Sequence, residues 1–106
     1  MLRGDVFGLR PPRRARGHEQ RGRRYGVVLQ ATELLGLFTV ILAPTSTRSL
    51  DATFHPRVRI RDELTSVLVE QLSAVDPSRL GDRHGRVTPE ELEAIDDALR
   101  LVFNLS

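Results

Sequence analysis

Seven arginines fall within the fifteen residues from Arg10 to Arg24, just ahead of the apolar run Val27-Val28-Leu29. Guanidiniums at this density repel one another unless a polyanion or an acidic partner compensates them. Their planar donor forks match phosphate oxygens. His18 adds an imidazole, a group that can carry a proton near neutral pH. Pro11, Pro12, Gly17 and Gly22 interrupt the stretch, so it reads as a long basic loop at the mouth of a sheet, where folds place ligand contacts. Nucleic acid is the first partner such a loop suggests.

The flanking sequence supplies the elements that must hold this loop. Leu2 to Leu9 fits a short first strand and Tyr25 to Gln30 a strong second one. Ala31 to Leu35 reads as a turn or a single helical turn. Gly36 to Ala43 is a continuous β-branched and aromatic run, expected as a central strand that Pro44 ends. Thr45 to Ser49 is expected as a polar loop. Thr53 to Ile60 alternates in part, with Arg57 and Arg59 opposite Val58 and Ile60. Leu64 to Val75 holds another strand, Asp76 to Leu80 a short turn of helix, and Asp82 to Arg86 a polar segment leading into Val87. Thr88-Pro89-Glu90-Glu91 combines an N-cap hydroxyl, Pro at the first helical position and Glu at the third, the signature of a capping box. Leu92, Ile95, Leu99 and Val102 then recur at helical spacing, which predicts a helix from Pro89 to about Phe103. The class is mainly β, five or six short strands curled into a barrel or half-barrel, with a C-terminal α-helix packed on the sheet.

Composition narrows the function classes. At 106 residues and 40% hydrophobic content the chain suits one globular domain, residues 1–106. No apolar run reaches the roughly 20 residues of a membrane span, and no apolar leader follows Met1, so a cytoplasmic location is expected. The chain contains no cysteine, which removes disulfides and thiolate metal sites. His18, His55 and His84 are scattered and make no metal set, so neither metal nor cofactor is expected. The net charge of +2 conceals a division. Residues 1–61 hold 12 Arg against 4 acids, and residues 62–106 hold 4 Arg against 10 acids.

Four segments together resemble one family. Arg3-Gly4-Asp5-Val6 is similar to its R-G-[DE]-[VI]-W opening, with Phe7 in place of Trp. Gly17-His18-Glu19-Gln20, Gly22 and Arg24 resemble the G-[SH]-E-Q-x-G-x-R-P-V loop of MazF/PemK (Kid)-type toxins. Ala43-Pro44-Thr45-Ser46-Thr47 resembles their [AV]-P-x-T-[ST] segment. Glu70-Gln71, Val75-Asp76 and Arg79-Leu80 resemble their E/D-Q-x-R-T-[IV]-D-x-x-R-L stretch, and the terminal helix falls where the family has one. The resemblance implies an SH3-like or CcdB-like barrel, usually a homodimer. It further implies a sequence-specific, metal-independent endoribonuclease toxin that acts on single-stranded RNA and is neutralised by an acidic cognate antitoxin.

Metal-free RNA cleavage must align the 2′-OH with the phosphorus, stabilise the phosphorane charge and move protons. The family's key arginine and threonine fall, by resemblance, on Arg24 and Ser46, with Thr47 adjacent as a substitute hydroxyl. The expected products are 2′,3′-cyclic phosphate and 5′-OH ends. A guanidinium with a pKa above about 12 is a poor proton carrier, so Arg24 is expected to act electrostatically and His18 to carry protons. Glu19 either orients His18 or holds the loop. Gln20, Arg21, Arg23 and Arg48 join Glu19 as expected RNA contacts, as do Glu70 and Gln71 near the RNA-binding surface. Tyr25 stands where the motif has Pro, which frees φ and offers a ring for base stacking. Ser73 stands where the family usually has Arg and removes one phosphate contact. Two other readings share the fold: a non-catalytic RNA-binding barrel, and a CcdB-type gyrase-inhibiting toxin. The second is discounted because the chain ends Phe103-Asn104-Leu105-Ser106, without the Trp-Gly-Ile tail.

Overall fold

The computed structural model of the chain describes residues 1–11, 24–36, 38–48 and 52–106. His18, Glu19, Gln20, Arg21 and Arg23 lie outside the described residues. Seven strands are present: β1 (Asp5–Leu9), β2 (Arg24–Val28), β3 (Val40–Ser46), β4 (Arg57–Ile60), β5 (Glu63–Val67), β6 (Ser73–Val75) and β7 (Leu80–Arg86). A single α-helix, α1 (Pro89–Phe103), follows them. The sheet runs β4-β5-β3-β2-β1-β7, with β6 paired to β3 beside β5. Every pairing is antiparallel. Strand β3 therefore changes partner along one edge, from β6 at Val40–Leu42 to β5 at Thr45–Ser46. That change curls the sheet into the expected mainly β half-barrel.

Pro44 does not end the third strand; it sits inside it. The pairing explains why. The Pro44 carbonyl accepts from the Leu68 N–H at 2.9 Å, so its backbone polar groups face away from β2. The missing N–H then falls in the gap between β6 and β5, where no ladder bond is required. Thr45 and Ser46 are strand residues, not loop. The segment 64–75 is broken into β5, a 3₁₀ turn at Val69–Gln71, and β6. Asp82 to Arg86, expected as a polar lead-in, belongs to β7. Two glycines and three charged residues carry little strand propensity, yet β1 provides a backbone template, with two register irregularities along the pair. Gly81 meets β1 so closely that a Cβ there would lie 3.1 Å from the Gly8 carbonyl oxygen.

The core lies on one face of the sheet. Val27 pairs with Val6 on β1 and with Ala43 on β3, and these three join Val58, Ile60, Val67, Val69, Ile95 and Ala98 in one buried cluster. Helix α1 closes that face with Ile95 and Ala98 fully buried and Leu92, Leu99 and Val102 partly so. Its capping box is formed: Thr88 Oγ1 accepts from the Glu91 N–H at 3.1 Å, and Glu91 Oε1 accepts from the Thr88 N–H at 2.8 Å. The other Glu91 oxygen accepts from the Arg59 N–H at 2.8 Å, which fastens the helix start to β4. The β4–β5 hairpin turns through Arg61 and Asp62, at φ of 50° and 65°. Left-handed backbone costs such residues roughly 1–2 kcal/mol each. Among the described residues no helix is long and apolar enough to cross a membrane.

Asp5 ties the chain's beginning to its end. Its carboxylate, 3% exposed, accepts from Arg86 Nε at 2.9 Å and Arg83 Nη2 at 3.2 Å on β7, and from the Leu2 N–H at 2.8 Å. Burial pushes its pKa up, but these three donors outweigh burial and hold it below the ordinary carboxylate value. A depressed carboxylate contributes stability that is complete above the unfolded pKa, about 3.9, and is lost as pH falls through the folded value. Asp5→Asn should lose about 2 kcal/mol in urea unfolding at neutral pH. It should also show a shallower loss of stability than the parent from about pH 4 to about pH 2. Thr88→Ala should cost about 1 kcal/mol in the same measurement, through loss of the cap.

Candidate functional site: an arginine-lined cavity on the open face

Arg24 is the first residue of β2 and Ser46 the last of β3. The register between the strands is Gly26 to Pro44, Val27 to Ala43 and Val28 to Leu42. That ladder stops at Gly26 and Pro44, two residues short of Arg24 and Ser46, and Ser46 pairs instead with Ser66 on β5. The Thr45 hydroxyl, donating to the Tyr25 carbonyl at 3.3 Å, shows that the strands stay side by side toward that end. Alternation places Arg24 and Gly26 with Pro44 and Ser46 on one face, opposite the face whose Val27 and Ala43 belong to the core.

That open face carries a cavity of about 160 Å³. Leu9, Leu42 and Pro44 supply its apolar lining, and Ser73 and Val75 contribute from β6. Its charged lining is Arg24, Arg10 and Arg79. Arg10 and Arg79 hold each other in place. The Arg10 N–H donates to the Arg79 carbonyl at 2.8 Å, and Arg79 Nε donates back to the Arg10 carbonyl at 2.9 Å. Arg10 Nη1 also donates to the Ser78 carbonyl at 3.3 Å. Asp76 braces this corner by accepting from the Ser78 N–H at 2.8 Å, and that N–H, with the Ser78 hydroxyl, holds the Asp76 pKa below its ordinary value.

The arginines thus sort into two kinds. Arg3 pairs with Asp96, Arg83 and Arg86 with Asp5, and Arg100 with Asp97. Among the described residues no carboxylate pairs with Arg10, Arg24 or Arg79. Three uncompensated cations around one cavity make a site for an anion. Its volume suits a phosphate group.

The other expected site residues are distributed around this centre. Ser46 Oγ accepts from the Arg48 N–H at 3.1 Å, so it shapes the bend at Thr47–Arg48, while its own O–H remains a donor. Thr47 and Arg48 line a separate cavity of about 80 Å³ with Arg57 and Ser66. Tyr25 is half-buried against the core and meets His84 edge to face, ring centroids 5.1 Å apart. Glu70 and Gln71 lie exposed on the 3₁₀ turn that leads into β6. The Glu70 carboxylate is hydrogen-bonded to His55 Nε2 at 2.9–3.0 Å, which gives His55 a structural partner. Arg10 and Arg79 were not legible as site residues. Only the pairing of β1 with β7 at Leu9 and Leu80 brings them together. Among the described residues no cluster of three or more His, Asp or Glu side chains could hold a metal ion.

Curled sheet, closing helix and arginine-lined face together define a toxin class. The chain belongs to the PemK-like, MazF-like toxins of type II toxin–antitoxin systems, whose family description matches residues 2–103. A toxin candidate from Mycobacterium tuberculosis is 36% identical over 75 residues, which cover 71% of this chain and 70% of that one. The fold is shared with the Mycobacterium tuberculosis toxin MazF-mt6, at a TM-score of 0.78 and 15% identity over 96% of this chain and 98% of that one. It is shared too with MazF from Deinococcus radiodurans, at 0.77 and 20% identity over 98% and 96%. A mycobacterial endoribonuclease solved with its cognate antitoxin matches at 0.72 and 18% identity over 100% and 95%.

Gly26 lies tightly between Leu42 and Leu9, two side chains that line the cavity. A Cβ there would lie 3.0 Å from Leu42 Cδ1 and 3.1 Å from Leu9 Cδ2. Gly26→Ala should therefore destabilise the fold by about 1–3 kcal/mol in urea unfolding.

Proposed function

We propose that the chain is a sequence-specific endoribonuclease toxin that cleaves single-stranded RNA, mRNA included, by metal-independent attack of the 2′-OH on the adjacent phosphorus. The observation that carries this reading is the cavity lined by Arg24, Arg10 and Arg79, none of them paired with a carboxylate among the described residues. In it, the scissile phosphate occupies the cavity. Arg24 holds the non-bridging oxygens and stabilises the charge that builds on them in the phosphorane. Arg10 and Arg79 hold the phosphate from the opposite wall. The Ser46 hydroxyl donates to the same group, with Thr47 next in line. His18 carries the proton between the 2′-OH and the leaving 5′-oxygen. The products are a 2′,3′-cyclic phosphate and a 5′-OH.

Relatives described as endoribonucleases, one of them bound to its antitoxin, support this reading and extend it to a partner. An acidic antitoxin segment competes with RNA for the arginine-lined face, and the toxin works as a homodimer in the cytoplasm. No step calls on a cofactor.

Incubation of the purified protein with a long single-stranded RNA in EDTA, followed by mapping of 5′-OH ends, should give discrete cuts. Salt-sensitive binding without cuts would instead mark a non-catalytic clamp. Arg24→Ala should lower the cleavage rate at least 100-fold, about 2.7 kcal/mol of transition-state stabilisation. Its unfolding free energy should stay within about 0.5 kcal/mol of the parent, since Arg24 is exposed. Full activity in that variant would remove Arg24 from the mechanism.

A further inference from the structure

A second and larger cavity, about 360 Å³, adjoins the first across Leu9, Arg10 and Arg24, which line both. Its volume falls in the roughly 300–1,000 Å³ range of small-ligand clefts, whereas the first cavity holds little more than a phosphate. Its remaining walls come from three elements distant in sequence. Tyr25 and His84 form one wall, Asp82 contributes from β7, and Arg61 reaches in from the tip of the β4–β5 hairpin.

The rings are held in place. Tyr25 and His84 lie at 84° with centroids 5.1 Å apart. Arg61 occupies a left-handed backbone position, φ 50°, which an arginine does not favour and a glycine would adopt freely. The two-residue hairpin between Ile60 and Glu63 imposes that conformation on Arg61 and Asp62 alike. Among the described residues Asp82 has no ion-pair partner, although three arginines share its cavity.

We propose that this cavity is a nucleobase subsite selective for guanine. The inference rests on the RNA reading above and adds a recognition element to it. Aromatic side chains give a base something to stack on. Arg61 supplies a cation for the sugar-phosphate chain. Asp82 is the one carboxylate lining the cavity among the described residues. A carboxylate only accepts hydrogen bonds, and guanine alone presents two adjacent N–H donors, N1–H and N2–H, on its Watson–Crick edge. Tyr25, which stands where the family motif has Pro, thereby gains a purpose.

The test uses the full chain with isotope-labelled histidine, and follows the imidazole signals by NMR during titration with 5′-GMP, 5′-CMP and inorganic phosphate. The His84 signal is assigned by its loss in His84→Asn. It should shift saturably with 5′-GMP, at least tenfold more tightly than with 5′-CMP, and stay unmoved by phosphate alone. Asp82→Asn should erase the preference for GMP over CMP. Arg61→Gly should weaken GMP at least fivefold while melting at or above the parent temperature, which separates lost binding from lost folding. A His84 signal unmoved by GMP would overturn the subsite. So would equal response to all three probes, or parental GMP affinity in both variants. The Ser46→Ala/Thr47→Ala double variant should lose cleavage yet keep the GMP response. A parent protein that binds GMP at His84 but never cuts RNA loses the nuclease reading alone. One that cuts RNA while His84 stays silent loses this subsite alone.

Discussion

The antiparallel register of β2 against β3 is the constraint on which the site depends. It is anchored by Val27 facing Ala43 in the core. A shift of one residue would send every side chain of the strand to the opposite face, carrying Val27 out of the core and Arg24 off the open face. The same apolar contact that stabilises the sheet therefore keeps Arg24 on the side of the strand that carries the cavity. Pro44 belongs to this arrangement. It lies in a strand with its missing donor turned to the gap where β6 gives way to β5, so it interrupts no ladder bond while stiffening the chain just before Ser46.

Charge is distributed with comparable economy. Carboxylates in the second half of the chain, with Asp5 at its start, engage the arginines that hold the fold together. Asp96 takes Arg3, Asp97 takes Arg100, and Asp5 takes Arg83 and Arg86. The arginines of the open face receive no such partner among the described residues. Their mutual repulsion is a standing cost that an anion relieves, so the surface is attractive to a polyanion before any particular contact forms. Arg10 and Arg79 show how the fold tolerates that cost: the Arg79 guanidinium donates to the Arg10 carbonyl and the Arg10 guanidinium to the Ser78 carbonyl, which fixes their direction without neutralising their charge.

Much of the architecture was readable because the signals were local. Helix α1 and its capping box follow from Thr88, Pro89, Glu91 and the stripe of Leu92, Ile95, Leu99 and Val102. The 3₁₀ turn at Pro77–Arg79 follows from Asp76 and Pro77. Strand β7 was not readable, because Gly81, Asp82, His84 and Gly85 carry no strand preference and only the exposed edge of β1 makes them one. The boundaries of β3 were misplaced for a similar reason: Pro44 breaks a strand only when its N–H is needed, and that depends on neighbours far along the chain. Among site residues, Arg24 and Ser46 were marked by resemblance, Arg10 belonged to the basic loop and Arg79 to a family segment without either being singled out, and His84, Arg61 and Asp82 gave no signal of their own.

The amino-acid sequence by itself determined the class of fold, the helix and its cap, the arginine-rich chemistry and the family to which the chain belongs. All of these are encoded in residue type and in spacing along a single segment. Tertiary structure alone decided which arginines pair with carboxylates among the described residues, that Arg24, Arg10 and Arg79 line one cavity, and that Tyr25 meets His84 beside another. Those outcomes depend on strand pairing between distant segments. Pairing is a matter of backbone hydrogen bonds and buried apolar contacts, neither of which leaves a mark on the side chains that it brings together.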